Sequence, residues 1–268
     1  MSLSLHLGIG AAAMSLVMLI LLVVERVRRD ASHVDVAWAA GIGALAVFYG
    51  VTSGAALERR VLLSAMALVW SLRLAGHLLF DRVLGKPEDG RYQALRRKWG
   101  ERAGLGFFFV FQVQALLSVG FSLPIAVAID SPAPAPRVWE WLALSVTLLS
   151  VVGESIADRQ LARFRARRES RGKTCREGLW RYSRHPNYFF EWLGWWAWVL
   201  AAVGSPLFLL SLSGPLFMLV FLFKITGIPA TEEQALRSRG DDYRRYQRTT
   251  SMFVPWFPKK GDTAWSSR

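Results

Sequence analysis

Seven apolar stretches, at about 3–24, 34–54, 60–80, 107–129, 138–157, 188–204 and 206–227, constrain this chain more than any single residue does. Each approaches the length at which a helix spans the hydrocarbon of a bilayer, where backbone polar groups must be satisfied internally. The pattern predicts an all-α integral membrane bundle of seven transmembrane helices. A length of 268 residues with a mean hydropathy of +0.27 demands no second domain, so one membrane domain over residues 1–268 is expected. The first stretch has no basic segment ahead of it and Glu25-Arg26-Val27-Arg28-Arg29 behind it, which fits an uncleaved first span better than a secretory signal.

A net charge of +13 raises the question of a nucleic-acid partner, but the placement of the charges answers it. Arg26, Arg28 and Arg29 lie in the first connection, Arg82, Lys86, Arg91, Arg96, Arg97, Lys98 and Arg102 in the third, and the fifth runs from Arg159 to Arg184. The remaining connections carry only Arg59, Arg60 and Arg137. The basic residues therefore track one side of a membrane, and the positive-inside rule puts the N-terminus outside and the C-terminus in the cytoplasm. Membrane lipids are the expected surroundings; no nucleic acid and no obligate protein partner are expected. Cys175 is the only cysteine, which excludes an intrachain disulfide and weighs against a Cys/His zinc site, and no metal is expected.

Ser131-Pro132-Ala133-Pro134-Ala135-Pro136 reads as a stiff, extended connector on the outer side. Arg91 to Trp99 is amphipathic and reads as a surface-lying helix without chemistry. After the last span, Gly227-Ile228-Pro229 stops one helix and Thr231-Glu232-Glu233-Gln234 has the form of a capping box opening another, which ends at Gly240. With the mixed charged and aromatic run Asp241 to Arg248 and the return at Val254 to Pro258, this predicts a short cytoplasmic helical cap.

The segment Arg181-Tyr182-Ser183-Arg184-His185-Pro186-Asn187-Tyr188-Phe189-Phe190-Glu191-Trp192 sets titratable groups at the mouth of an apolar stretch. The residue before a proline is pushed toward extended backbone and proline suits a first helical turn, so His185-Pro186 marks loop becoming helix. A helix start with Arg181, Arg184 and His185 beside it is a seat for phosphate, and Asn187 and Glu191, four apart, share one face. A capped helix flanked by headgroup-binding residues is the bland alternative. Glu154, Asp158, Arg159, Arg163 and Arg165 recur on one side of the fifth span, either as a salt-bridge ladder or as a carboxylate for ribose with arginines for phosphate. Asp35 with Trp38, Arg73 with His77, then Gln112, Gln114 and Lys224 are polar at apolar depth, costly unless paired or facing a cavity. Structural pairing, such as Asp35 with Arg73, is an equal alternative to catalysis. No Gly-x-Gly-x-x-Gly after a strand and no phosphate-binding P-loop is present, and no serine sits in a strained elbow near His185.

Gly178 to Tyr188, with Glu191, Thr231-Glu232-Glu233 and Tyr243-Arg244-Arg245-Tyr246, resembles the steroid 5-alpha-reductase family, in particular its bacterial branch, most densely from Glu154 to Trp256. The arginine-histidine-proline turn and the paired glutamates also resemble isoprenylcysteine and phospholipid methyltransferases. The reductase resemblance implies a seven-helix enzyme of the bacterial inner membrane that takes NADPH from the cytoplasm and reduces the double bond of a lipophilic enone. Substrate-side helices are then expected at about 1–130 and cofactor-binding helices and loops at about 138–258. By position, it implies cofactor contacts at Asp158, Arg165, Lys173, Tyr182, Arg184, His185, Asn187, Tyr188, Glu191, Glu232, Glu233 and Tyr246. It further implies that Asp35 and Trp70 polarise the substrate ketone, where relatives use a glutamate and a tyrosine. Trp70 has an indole N–H but no acidic hydroxyl. Phe190 stands where a glycine is common, and Glu232 where mammalian relatives carry histidine.

The chain is thus expected to be an NADPH-dependent reductase that sends hydride to the β carbon of an enone, such as a 3-oxo-Δ4 steroid, giving the 5α-reduced 3-ketone. Asp35, kept protonated by an apolar site, would donate to the carbonyl oxygen as charge develops there. A methyltransferase using S-adenosylmethionine and a non-enzymatic sterol or lipid binder are the alternatives.

Overall fold

The structure, a computed structural model, describes residues 1–133, 136–225 and 227–259 and has no strand among them. In chain order the helices are α1 (Leu3–Arg28), α2 (His33–Thr52), α3 (Leu57–Leu78), α4 (Gly90–Trp99), α5 (Ala103–Ile129), α6 (Val138–Ala166), α7 (Pro186–Ala201), α8 (Phe208–Ser211), α9 (Ser213–Val220), α10 (Ile228–Arg239) and α11 (Asp241–Thr249). Six segments, Leu3–Arg28, His33–Thr52, Leu57–Val83, Gly90–Ile129, Val138–Ala166 and Phe208–Arg239, are long and apolar enough to cross a bilayer. The chain is an all-helical integral membrane protein. The stretch expected at 188–204 forms α7, whose 16 residues fall short of the roughly 20 that span hydrocarbon at helical rise. The stretch at 206–227 is broken into α8, α9 and a π-helical turn, Phe221–Ile225. The interruption between α8 and α9 falls at Leu212, and Pro215 sits in the first turn of α9, where its missing N–H removes a backbone donor. Of the proline-alternating connector, Pro134 and Ala135 lie outside the described residues.

The chain divides into two units, Met1–Leu144 with Trp198–Gly214, and Ser145–Ala197 with Pro215–Arg268. In the first, α2 packs on α3 and α5, and α1 on α5. Met18, Ile42, Leu63, Phe107, Phe111, Phe121 and Ile125 fill its core. Glycines make the helices approach closely, as small residues do within membranes: a Cβ on Gly43 would collide with Ser71, whose hydroxyl donates to Ala39 O at 2.7 Å. At the α6 start, Arg59 pairs with Glu140, both fully buried, and donates to Ala128 O and Ala201 O at 3.2 Å each. Such a pair is tolerable in a dry interior because the two charges neutralise each other and Arg59 Nη1 has two carbonyl acceptors, while Nε is left without one among the described residues.

In the second unit, small residues again close a helix pair. Ser150 Oγ donates to Phe190 O at 2.7 Å, and a Cβ on Gly194 would strike Ser150. The Phe190 ring lies where a Cβ on Gly153 would sit, so the bulk at position 190 is accommodated by the missing side chain at 153. The expected capping box is corrected: α10 begins at Ile228 with Gly227 as its cap, and Pro229 takes the first turn, where its missing N–H costs nothing. Thr231 lies inside the helix and bonds back to Gly227 O at 3.0 Å. The helix does end at Gly240, with positive φ (51°), a backbone conformation suited to glycine.

Candidate functional site

In the first unit, the start of α2 carries Asp35, and the loop before α5 folds α4 onto it. Arg91 Nη2 donates to Asp35 Oδ2 at 2.6 Å, Tyr92 hydroxyl to Oδ1 at 2.7 Å and Gln114 Nε2 to Oδ1 at 3.3 Å; Arg82 Nη1 lies 3.7 Å from Oδ2. Asp89, the cap of α4, holds Arg91 at 3.0 Å. Burial would raise the Asp89 pKa, but hydrogen bonds from Arg91 bring it below the ordinary carboxylate value. Donors reach both oxygens of Asp35, which in this arrangement accepts from Arg91, Tyr92 and Gln114. Trp70 is buried in α3, and the phenol found on Asp35 is that of Tyr92. Sequence reasoning gave α4 no chemistry. Its Arg91-Tyr92 pair in the first turn behind a capping aspartate, Asp89, was the available signal.

In the second unit, α7 starts at Pro186 as the His185-Pro186 step requires. Two of the three cations expected to seat a phosphate there, Arg184 and His185, hold the protein's own carboxylate. Arg184 Nε donates to Glu232 Oε1 at 2.7 Å, His185 Nε2 lies 3.3 Å from the same oxygen, and Tyr243 hydroxyl and Gln247 Nε2 donate to Glu232 at 3.2 and 2.8 Å. Arg184 Nη1 is further committed to Gln247 O and Thr250 O, at 2.9 and 3.1 Å. Burial lowers the His185 pKa, with Glu232 opposing it, so the imidazole is predominantly neutral near pH 7. His185 stacks on Tyr188, whose hydroxyl lies 3.3 Å from Thr231 Oγ1.

Asp158 and Asn187 do come together, Asn187 Nδ2 donating at 3.2 Å, while buried Glu191 accepts from Trp195 Nε1 at 3.1 Å. Three further residues of the expected cofactor set make contacts within the chain. Tyr246, buried, donates to Trp180 O and to Ser183 O (3.1 Å) and so fastens the turn before α7. Tyr182 packs edge-on against Phe257. Glu233 makes an exposed ion pair with Arg237 on α10.

Arg165 and Lys173 line a pocket of about 210 Å³ together with Arg171, Arg239, Phe164 and Cys175. Its wall holds four cationic side chains and no carboxylate. Gly172, at φ 74°, turns the chain between Arg171 and Lys173 so that both border the pocket. Arg171 and Arg239 were missed in the sequence, where they merge into longer basic runs. Burial raises the Cys175 thiol pKa, leaving it neutral. No group of three or more His, Cys, Asp or Glu residues suited to a metal is found among the described residues.

The fold and these two polar centres define an all-helical integral membrane protein with a carboxylate–tyrosine cluster in one unit and a cationic pocket in the other. A family profile described as a protein of unknown function (DUF1295) matches residues 21–250, and the chain belongs to that family. No curated protein and no solved structure matches the chain.

Proposed function

We propose that the protein is an NADPH-dependent reductase of the carbon–carbon double bond in a lipophilic enone, with a 3-oxo-Δ4 steroid as the substrate class. The observation that carries this is the pocket walled by Arg165, Arg171, Lys173 and Arg239 without an acid. Such a donor set fits the phosphates of a dinucleotide, because arginine presents paired donors to phosphate oxygens and lysine a point charge. S-adenosylmethionine carries no phosphate, so the methyltransferase alternative leaves these cations without a purpose. When bound, NADPH supplies the hydride. Asp158 and Asn187, already paired, offer an acceptor and an amide to its neutral parts.

In the first unit, Asp35 holds the Tyr92 hydroxyl and the Arg91 guanidinium in one place. Hydride addition at the β carbon drives negative charge onto the ketone oxygen. A Tyr92 O–H turned from Asp35 to that oxygen stabilises it and protonates the enolate, while Arg91 and Gln114 keep Asp35 satisfied. The carbonyl is regenerated when the α carbon of the enol takes a proton from water and the oxygen returns its proton to the Tyr92 phenolate, so the product is the saturated ketone.

The finer topology belongs to the same proposal: seven membrane segments counting α7, N-terminus outside, cofactor side in the cytoplasm of a bacterial inner membrane. Arg59, Arg60 and Arg137, the basic residues of the outer connections, support it because they are consumed inside the protein. Arg59 pairs with Glu140, Arg60 donates to Gly50 O and Ser53 O, and Arg137 donates to Val203 O.

Native mass spectrometry of the purified protein offered NADPH, NADH and S-adenosylmethionine together tests the assignment. Retention of NADPH is expected, with its loss in Arg171→Ala. Retention of S-adenosylmethionine instead would hand the function to a methyltransferase, and retention of none would favour a lipid binder.

A further inference from the structure

Residues 251–259 form a strip without helix that bends back to its own base, and its backbone is stitched to the folded part of the second unit. Arg184 N–H donates to Ser251 O at 2.8 Å, Ser183 Oγ to Phe253 O at 2.7 Å, Trp256 N–H to Tyr182 O at 2.9 Å and Lys259 N–H to Thr249 O at 2.9 Å. Phe253 points inward, against Phe189, Trp192 and Phe223. Its neighbours point outward: Trp256 is 70% and Phe257 76% exposed, and Val254 is exposed beside them. Exposed Arg181 lies in the anchoring turn, Arg248 in the last turn of α11 and Lys259 in the strip itself, and none has a carboxylate partner among the described residues. A rigid backbone that displays a large indole and phenyl to the outside exacts the cost of exposed apolar surface without gaining burial.

We infer that this strip docks on the headgroup layer of an anionic bilayer, with Trp256 and Phe257 immersed at the interface and Arg181, Arg248 and Lys259 on lipid phosphates. The chemistry fits one occupant. Tryptophan favours the boundary where one ring edge is wet and the rest apolar, and unpaired cations near an acidic membrane surface gain from its negative potential. The chain is already held in a bilayer by its helices, so little further ordering is needed. Because the strip is bonded to Tyr182, Ser183 and Arg184, lipid contact braces the turn that leads into α7. None of this depends on the reductase assignment.

The test uses full-length protein with a nitroxide at Phe257→Cys in a Cys175→Ser background, and separately at Val254→Cys, in nanodiscs of phosphatidylglycerol or of phosphatidylcholine. Power-saturation measurements compare relaxation by oxygen, which enters lipid, with relaxation by a nickel chelate, which stays in water. Both labels are expected to be oxygen-accessible and chelate-protected in phosphatidylglycerol, and more aqueous in phosphatidylcholine. Replacing Arg181, Arg248 and Lys259 together by Gln should abolish that lipid difference. Equal immersion in the two lipids would remove the cations from the account. Chelate-accessible labels in both would overturn the docking, as would spin–spin broadening that shows a second copy on the strip.

Discussion

Asp35 in the first unit and Glu232 in the second are surrounded by nearly the same chemistry: each accepts from an arginine, a tyrosine and a glutamine. Their partners differ in exposure. Arg91 and Arg82 on Asp35 are 46% and 40% exposed, whereas Arg184 and His185 on Glu232 are 10% and 3% exposed. Arg184 also spends donors on two backbone carbonyls, which Arg91 does not share. A carboxylate whose partners are buried and bonded to backbone serves to knit elements together. One whose partners keep an open side has capacity left for a ligand, and this is why identical residue types are read here as a lock in one unit and as chemistry in the other.

The largest expected effect breaks the lock. Glu232→Ala strands Arg184 and His185 without their anion, which for a buried pair costs about 3–5 kcal/mol. A fall of thermal stability in detergent and loss of extractable protein are expected, with Glu232→Gln milder. A Glu232→Ala protein as stable as the parent would dissolve the distinction between the two carboxylates.

Next comes the open cluster. Tyr92→Phe should lower turnover of an enone with NADPH by roughly 10²–10³-fold, the loss typical of one donor to a developing oxyanion. Its unfolding transition should move far less than that of Glu232→Ala. A stability loss equal to the Glu232 variant, with turnover per folded molecule intact, would make Asp35 a second lock. In the cationic pocket, Arg171→Ala should weaken NADPH by about 1.5–3 kcal/mol, measured by titration calorimetry, the usual worth of a charged hydrogen bond. Equal weakening of phosphate-free ligands would show that the arginine supports the fold rather than the phosphate.

The smallest effect is a pH dependence. Burial depresses the His185 pKa below its ordinary value of about 6.5, so the unfolded chain takes up the proton first. The stability of the Glu232 centre is therefore full above about pH 6.5 and erodes as pH falls below it. Unfolding of the parent and of His185→Gln between pH 7.5 and 5 (roughly the window set by that value) should show a shallower decline in the variant. A steeper decline in the variant would reverse the sign assigned to burial.

The same contrast explains what the sequence disclosed. Helices α1, α2, α3, α5 and α6 were legible because span length and hydropathy are local properties. The α7 start was legible because proline restricts its own neighbourhood. The break of 206–227 at Leu212, just ahead of Gly214-Pro215, was hidden inside a run that remains largely apolar. At the site, Asp35 was visible as an acid at apolar depth, but Tyr92, 57 residues further on, was concealed in a helix that reads as surface-lying. The Arg184–Glu232 pairing spans 48 residues, so a local view of Arg184 beside a helix start suggested phosphate where folding supplies a glutamate. Residues defined by neighbours along the chain were readable, and those defined by partners across it were not.

A single turnover of the purified protein with NADPH deuterated at the transferring carbon and a 3-oxo-Δ4 steroid tests the proposed chemistry most directly. Deuterium at the β carbon of a saturated 3-ketone is the result expected, absent or strongly slowed in Tyr92→Phe. Deuterium on a carbinol carbon would make the protein a ketone reductase, and methylation from S-adenosylmethionine with no deuterium transferred would contradict the account.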